Sequence, residues 1–347
     1  MSIRFTSEWQ RCRVVFGPGA RTTLGAELDA LDLGRILIVR SPGRSQIAHE
    51  IAGSLHQRLA GVCALAAPHV PADCVAAALA ETDRVKPDAI VAIGGGSAVG
   101  LAKAIALNRS LPVIALPTTY AGSEMTSVYG MTEGGQKRTG RDARVAPRLV
   151  IYDPELTMSL PAGVSAASGM NAIAHAVEAM YAVNVSPIAT AAAADAIDSL
   201  NRALPLIVAN PADANARAIA LRGAHLAGIA LELATMGLHH KICHVLGGAF
   251  GLPHAETHAV LLPHVVAFNA PAAPDAMARI AAALGTSDAA EGVRELNGRL
   301  PLPTTLGKLG FKASDIGRAA ELVTAATYPN PRLASASDIR NLLTAAL

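Results

Sequence analysis

The sequence predicts an α/β N-terminal domain, doubly wound around a mainly parallel sheet, followed by an all-α C-terminal domain. Three observations carry this prediction. At 347 residues the chain exceeds one ordinary hydrophobic core. As far as Asp153-Pro154, short β-branched runs alternate with helical patterns. Beyond that point strand patterns nearly vanish, and Ala-rich amphipathic stretches take over. The division is placed at 1–155 and 156–347.

The expected strands are Arg35–Val39, Ala89–Ile93, Val113–Leu116 and Leu149–Tyr152. Each is short, rich in β-branched residues and closed by turn or polar residues. Helices are expected at Ser45–Leu59, Ala72–Val85 and Ala98–Leu107. Strands apolar on both faces, with helices between them, indicate a Rossmann-like parallel sheet. Ligands on such sheets bind beyond the carboxyl ends of the strands. In the second half, prolines at 187, 205, 211, 253, 263 and beyond are read as breaks between helices.

Composition narrows the class. The chain is 51% hydrophobic, enough to bury two cores. No uninterrupted apolar run approaches the ~18 residues of a membrane span, and Met1–Arg13 has no apolar signal-peptide core. A net charge of +2, 3% aromatic residues and no basic block give nucleic-acid binding little support. Cys12, Cys63, Cys74 and Cys243 form no CxxC pair. They are expected to be reduced thiols in a cytoplasmic protein. Cys243 is read as a small buried apolar side chain.

Gly94-Gly95-Gly96-Ser97 follows one expected strand and opens a helix. Glycines admit close backbone approach, and the helix N-terminus offers free N–H groups to a pyrophosphate. The alternative is a plain tight turn, because Val99 stands where GxGxxG has its third glycine. Lys103, further along that helix, either reaches the cofactor or is solvated. After the next strand, Thr118, Thr119 and Ser123 are neutral hydroxyls suited to phosphate, ribose or carboxamide groups. Arg40-Ser41-Pro42-Gly43-Arg44 follows the strand Arg35–Val39 without an acidic residue to clasp a ribose. NADPH should therefore be tolerated alongside NADH.

Asn171 and His175 lie four apart, hence on one helix face, and His240 and His244 repeat the spacing. His254 follows. Two such pairs plus one more His have the form of a metal site, yet Asn brings only a neutral oxygen. A neutral imidazole cluster also suits an anionic substrate and supplies a proton donor titrating near pH 7. His239 is read as facing away from this site, and His258 and His264 as structural.

The motifs GGGSAVGLAK, PTTYAGSEMT, GMNAIAHAVEA and HHKICHVLGGAFGLPHAETHAVLLPHV span residues 94–265. They resemble the iron-containing (group III) alcohol dehydrogenase superfamily. By resemblance the metal ligands, an Asp and three His, fall on Asn171, His175, His240 and His254, and a further histidine near the nicotinamide falls on His244. Asn171 replaces the Asp ligand, and Gly100 replaces an Asp that usually follows GGGS. With KRTGRDARVAPRLVIYDPELT at 137–157, these departures resemble the maleylacetate reductase branch, which works without metal. The resemblance implies NAD(P)H-dependent reduction of a carbon–carbon double bond. It implies NADH or NADPH as cofactor, no metal, a small dicarboxylate substrate, a homodimer, and no nucleic-acid or membrane partner. The expected catalytic residues are His244, His175, His240 and His254. The expected cofactor contacts are Gly94, Gly95, Gly96, Ser97, Thr118, Thr119, Ser123 and Ser41. Asn171, Tyr120 and Arg332 are expected at the substrate, with Arg138 a further possible carboxylate partner. The alternative is a metal-dependent alcohol or glycerol dehydrogenase of the same superfamily.

Overall fold

The computed structural model describes residues 12–42, 45–134 and 136–347. Among them the chain forms two compact units that divide between Leu160 and Pro161.

The first unit holds a six-stranded parallel sheet in the order β1-β8-β5-β4-β2-β3. Its strands are β1 (Arg13–Phe16), β2 (Ile36–Arg40), β3 (Leu59–Cys63), β4 (Ala89–Gly94), β5 (Val113–Pro117) and β8 (Leu149–Tyr152). The helices are α1 (Leu24–Ala30), α2 (Ser45–Leu55), α3 (Ala72–Val85) and α4 (Gly96–Arg109). Ile36, Ile38, Val91, Ile93, Ile114, Leu116 and Ile151 alternate along their strands and bury one face against Leu24, Leu28, Ile51 and Leu55 of α1 and α2. The residues between them, including Leu37, Val39, Ile90, Ala92 and Val150, are buried as well. A sheet covered on both faces needs such continuous apolar runs.

Two features went beyond the sequence pattern. β3 was not expected, because Leu59–Cys63 (LAGVC) mixes small residues with only one β-branched one. An antiparallel hairpin, β6 (Val128–Glu133) with β7 (Gln136–Arg141), forms a separate two-stranded sheet. Strand order reverses between β2 and β4, so their carboxyl ends flank the switch point where open α/β sheets take ligands.

Helices α5 (Ala162–Met180), α6 (Pro187–Ala209), α7 (Ala214–Leu233), α8 (Leu238–Phe250), α9 (His254–Asn269) and α10 to α13 (Pro274–Leu284, Ala289–Gly298, Ile316–Thr324 and Ala336–Ala346) build the second unit. None among the described residues is by itself long and apolar enough to cross a membrane. α5 is buried at every residue from Ser165 to Met180 and packs against α6, α7 and α9. Its alanines allow close helix approach on all sides, as expected of a helix apolar all round. Pro205 and Pro263 correct the reading of prolines as breaks: each lies inside a helix, α6 and α9. Tertiary packing of both helices outweighs the lost N–H bond.

Candidate active site

In the α/β unit, Gly94 closes β4 and Gly95 caps α4, with no side chain capping that end. The first amides of a helix lack intrahelical partners, so this end is open to water or to a ligand. A β-carbon on Gly95 would stand 2.8 Å from Thr119 Oγ1 and Cγ2. The two loops are thus in contact, and Thr118 N–H donates to Gly94 O at 3.0 Å. Thr118 Oγ1 is fully buried and has no hydrogen-bond partner among the described residues. Ser97, Thr119, Ser123 and Ser41 are half-buried and Gly96 is exposed. Arg40 donates to Ser41 O and Pro42 O at 3.2 and 3.3 Å, while Gly43 and Arg44 lie outside the described residues.

Gly100 has a steric explanation. A β-carbon there would lie 2.7 Å from Val70 Cγ2. His69 and Val70 are both left-handed, at φ 62 and φ 50. A β-branched residue adopts that conformation only when its surroundings impose it. Thr132 does so, donating through Oγ1 to His69 O at 2.9 Å and through N to Val70 O at 3.0 Å. A carboxylate at 100 would require this turn to move.

Lys103 fits neither of its expected roles. It is 1% exposed. Its ammonium donates to Ser123 O (2.7 Å), Thr126 O (2.6 Å), Thr126 Oγ1 (3.0 Å) and Val128 O (2.8 Å). It fastens the segment carrying Ser123 to α4. Tyr120, expected at the substrate, is fully buried, and its hydroxyl donates to Thr157 Oγ1 at 3.3 Å.

In the helical unit the four expected histidines converge. The rings of His175 (α5) and His240 (α8) stack with centroids 5.0 Å apart. His244 lies 6.0 Å from His240, and His254 (α9) stacks on His244 at 6.1 Å. His175 and His240 are buried, whereas His244 and His254 are half-buried and face the accessible side. Asn171, one turn before His175, is buried with Oδ1 lacking a hydrogen-bond partner.

Two residues set aside on sequence belong to the cluster. His258 sits 4.5 Å from His254, 4.8 Å from His240 and 6.2 Å from His175. His239 is bonded to it, Nε2 to Nδ1 at 2.8 Å, and its ring lies 5.6 Å from that of His240. Both are fully buried, and burial pushes the pKa of His239 down to about 3 and that of His258 well below the usual imidazole value. Each is a neutral ring.

Glu178 was missed. It is the single carboxylate in the 19 residues of α5, and it is 1% exposed. It accepts the His239 amide at 2.9 Å and the His240 amide at 3.3 Å, and it pairs closely with His240 Nδ1. Burial pushes its pKa up, opposed by His239 and by the α8 amides. A lone Glu in an otherwise uncharged, Ala-rich helix was the available signal.

Arg332 does not join the cluster. It is exposed, with its guanidinium 4.2 Å over the Phe268 ring and donating to Phe268 O at 3.2 Å. Arg138 forms an exposed ion pair with Glu133 at 3.5 Å.

Comparison with known proteins agrees with both halves. Residues 12–154 match the model of the iron-containing alcohol dehydrogenases, and residues 165–347 match the C-terminal model of the Fe-containing alcohol dehydrogenase family. A maleylacetate reductase from Burkholderia cepacia is 50% identical over 331 residues, 95% of this chain and 94% of the relative. The crystal structure of maleylacetate reductase from Rhizobium sp. strain MTP-10005 superimposes with a TM-score of 0.93 at 43% identity, covering 99% of this chain and 98% of that one. An iron-containing alcohol dehydrogenase from Corynebacterium glutamicum gives 0.94 at 42% identity, covering 100% and 98%.

Proposed function

The chain belongs to the iron-containing alcohol dehydrogenase family of oxidoreductases, and we propose that within it the protein reduces the carbon–carbon double bond of maleylacetate to give 3-oxoadipate, without a metal. The observation that carries this reading is the neutral donor set. Asn171 stands where the family's carboxylate ligand falls, one turn before His175 on the same helix. Among the described residues, the carboxylate against the histidine rings is Glu178, and it is engaged by His240 and the α8 amides. Exchanging a carboxylate ligand for a neutral amide oxygen removes a charge attraction and weakens the hold on a divalent ion. Relatives of 50% and 43% identity that carry the name maleylacetate reductase support the substrate.

The α/β unit fits a nicotinamide dinucleotide: an uncapped helix end, a glycine that Thr119 touches, and the buried Thr118 hydroxyl. Gly94 to Ser97 and Thr118, Thr119 and Ser123 would hold it, with Ser41 near the adenosine. With no acidic residue after β2, NADPH is accepted as well as NADH. A nicotinamide held there would supply the hydride that the alkene carbon β to the ketone takes up. His175, His240, His244 and His254 bind the oxygens of the dianionic substrate, whose enolate needs hydrogen-bond donors rather than a Lewis acid. His244, half-buried and so reachable, gives its proton to the carbon α to the ketone. The π bond is lost, two C–H bonds form, and the products are 3-oxoadipate and the oxidised nicotinamide.

The test uses NADH deuterated at the transferable position. One deuterium at the carbon β to the ketone of 3-oxoadipate supports the reading. Label on a carbinol carbon, from reduction of a ketone or aldehyde, would return the protein to alcohol chemistry.

A further inference from the structure

The deepest part of the helical unit's cluster has no role in the proposed reaction. His239, Cys243 and His258 are fully buried, with Cys243 Sγ 3.8 Å from His239 Nε2. His239 Nδ1 and His258 Nε2 have no hydrogen-bond partner among the described residues. Each such orphan is destabilising relative to an apolar side chain of similar shape. Leucine or phenylalanine would fill this space at lower cost, so packing alone does not explain two imidazoles here.

Their connections do. Glu178 fixes the His239 amide, which sets the start of α8. The His239 ring holds His258 by a 2.8 Å N–H···N bond. Between two neutral rings that bond contains one shared proton, so the tautomers of both are set together. His258 then presents its ring edge-on to His254, at 83° and 4.5 Å, and to His240, at 62° and 4.8 Å.

We infer that His258, held by His239, is a positioning residue that sets the orientation of the His254 and His240 rings. It is sealed from solvent and acts through those two rings rather than on the substrate. The inference rests on the proposed function for its kinetic readout, and on ring geometry alone for its structural one. Catalytic rings tolerate little misplacement, because an error of about 1 Å can cost 10²-fold.

The experiment compares His258→Phe, His239→Phe, the double variant and His239→Gln in the full chain, each by maleylacetate turnover, NADH affinity and crystal structure. His258→Phe keeps a ring and loses the hydrogen bond. We expect kcat to fall about 10- to 100-fold, with the NADH Kd unchanged and the His254 and His240 rings turned in the crystal. The double variant should be no worse than His258→Phe, since both break one brace. His239→Gln, whose amide can still donate to His258 Nδ1, should recover most of the rate. Effects that multiply, or rings that stay in place at wild-type kcat, overturn the inference. So does a metal ion bound by His239, Cys243 and His258 in the purified protein, because coordination would then replace the hydrogen bond. If the wild type fails to turn over maleylacetate, the functional reading falls and the ring orientations in the variant crystals still decide this one. If His258→Phe does not fold, the His239→Phe and His239→Gln pair carries the same test.

Discussion

The loop end of the α/β unit, Gly94 to Ser97 with Thr118 to Ser123, is made of backbone and hydroxyls, whereas the cluster of the helical unit is made of imidazole rings, and each has a buried carboxylate behind it. Glu124 backs the first: it is 1% exposed and takes the Tyr152 hydroxyl at 2.8 Å. Glu178 backs the second and takes the His240 ring with two amides. Burial raises the pKa of both. Glu124 stiffens a loop beside Lys103, while Glu178 anchors the start of α8, which carries His239 and His240. The backbone-built site should therefore tolerate single side-chain changes better than the ring-built one.

The largest effect expected is at Glu178. Glu178→Ala strips a buried ring and two amides of their acceptor and should cost about 3–5 kcal/mol of stability, read by urea unfolding. A loss below ~1 kcal/mol, the scale of a single ordinary hydrogen bond, would show that α8 is held by other means. His244→Ala comes next. It should lower kcat by roughly 10²-fold while NADH binding is unchanged. A loss under about threefold would move the proton donor elsewhere, since general acid catalysis contributes 10² or more.

Acid should then separate the two regions. His239, with its folded pKa near 3 against 6.5, binds its proton only on unfolding. His258 is shifted the same way. The unfolded chain takes up protons first, so stability is complete above pH 6.5 and falls as pH drops through the window down to about 3. The slope for one such group is roughly 1.4 kcal/mol per pH unit. Thermal melts from pH 7 to 5 that show no decline in the helical unit would contradict the burial of these rings. The smallest effect belongs to the backbone-built site. Thr118→Val removes a hydroxyl that is unpartnered without cofactor, so the melting temperature should hold or rise. NADH affinity should weaken about 3- to 10-fold, the worth of one hydrogen bond. Unchanged affinity would leave the hydroxyl outside the cofactor contacts.

The same contrast governs what was legible in the sequence. A glycine loop after a strand is a local signal, and Gly94 to Ser97 could be placed from the chain alone. Lys103 could be assigned to a helix, but not the three carbonyls that surround it, which arrive from residues 123 to 128. The four converging histidines showed in their spacing. His239 did not, because adjacent residues face different sides of a helix. α8, however, is bonded to α5 through Glu178 and packs against α9, so both sides face cluster residues. His258 was one turn from His254 and needed His239 to give it meaning. A side-chain site on packed helices is specified by which faces meet, and no window of sequence contains that.

The most direct test of the central claim is NADH oxidation with freshly prepared maleylacetate, on protein assayed for bound metal, with and without excess EDTA. The account predicts turnover by metal-free protein that the chelator leaves unchanged. Activity that disappears with EDTA and returns with iron or zinc would contradict it and return the protein to metal-dependent chemistry.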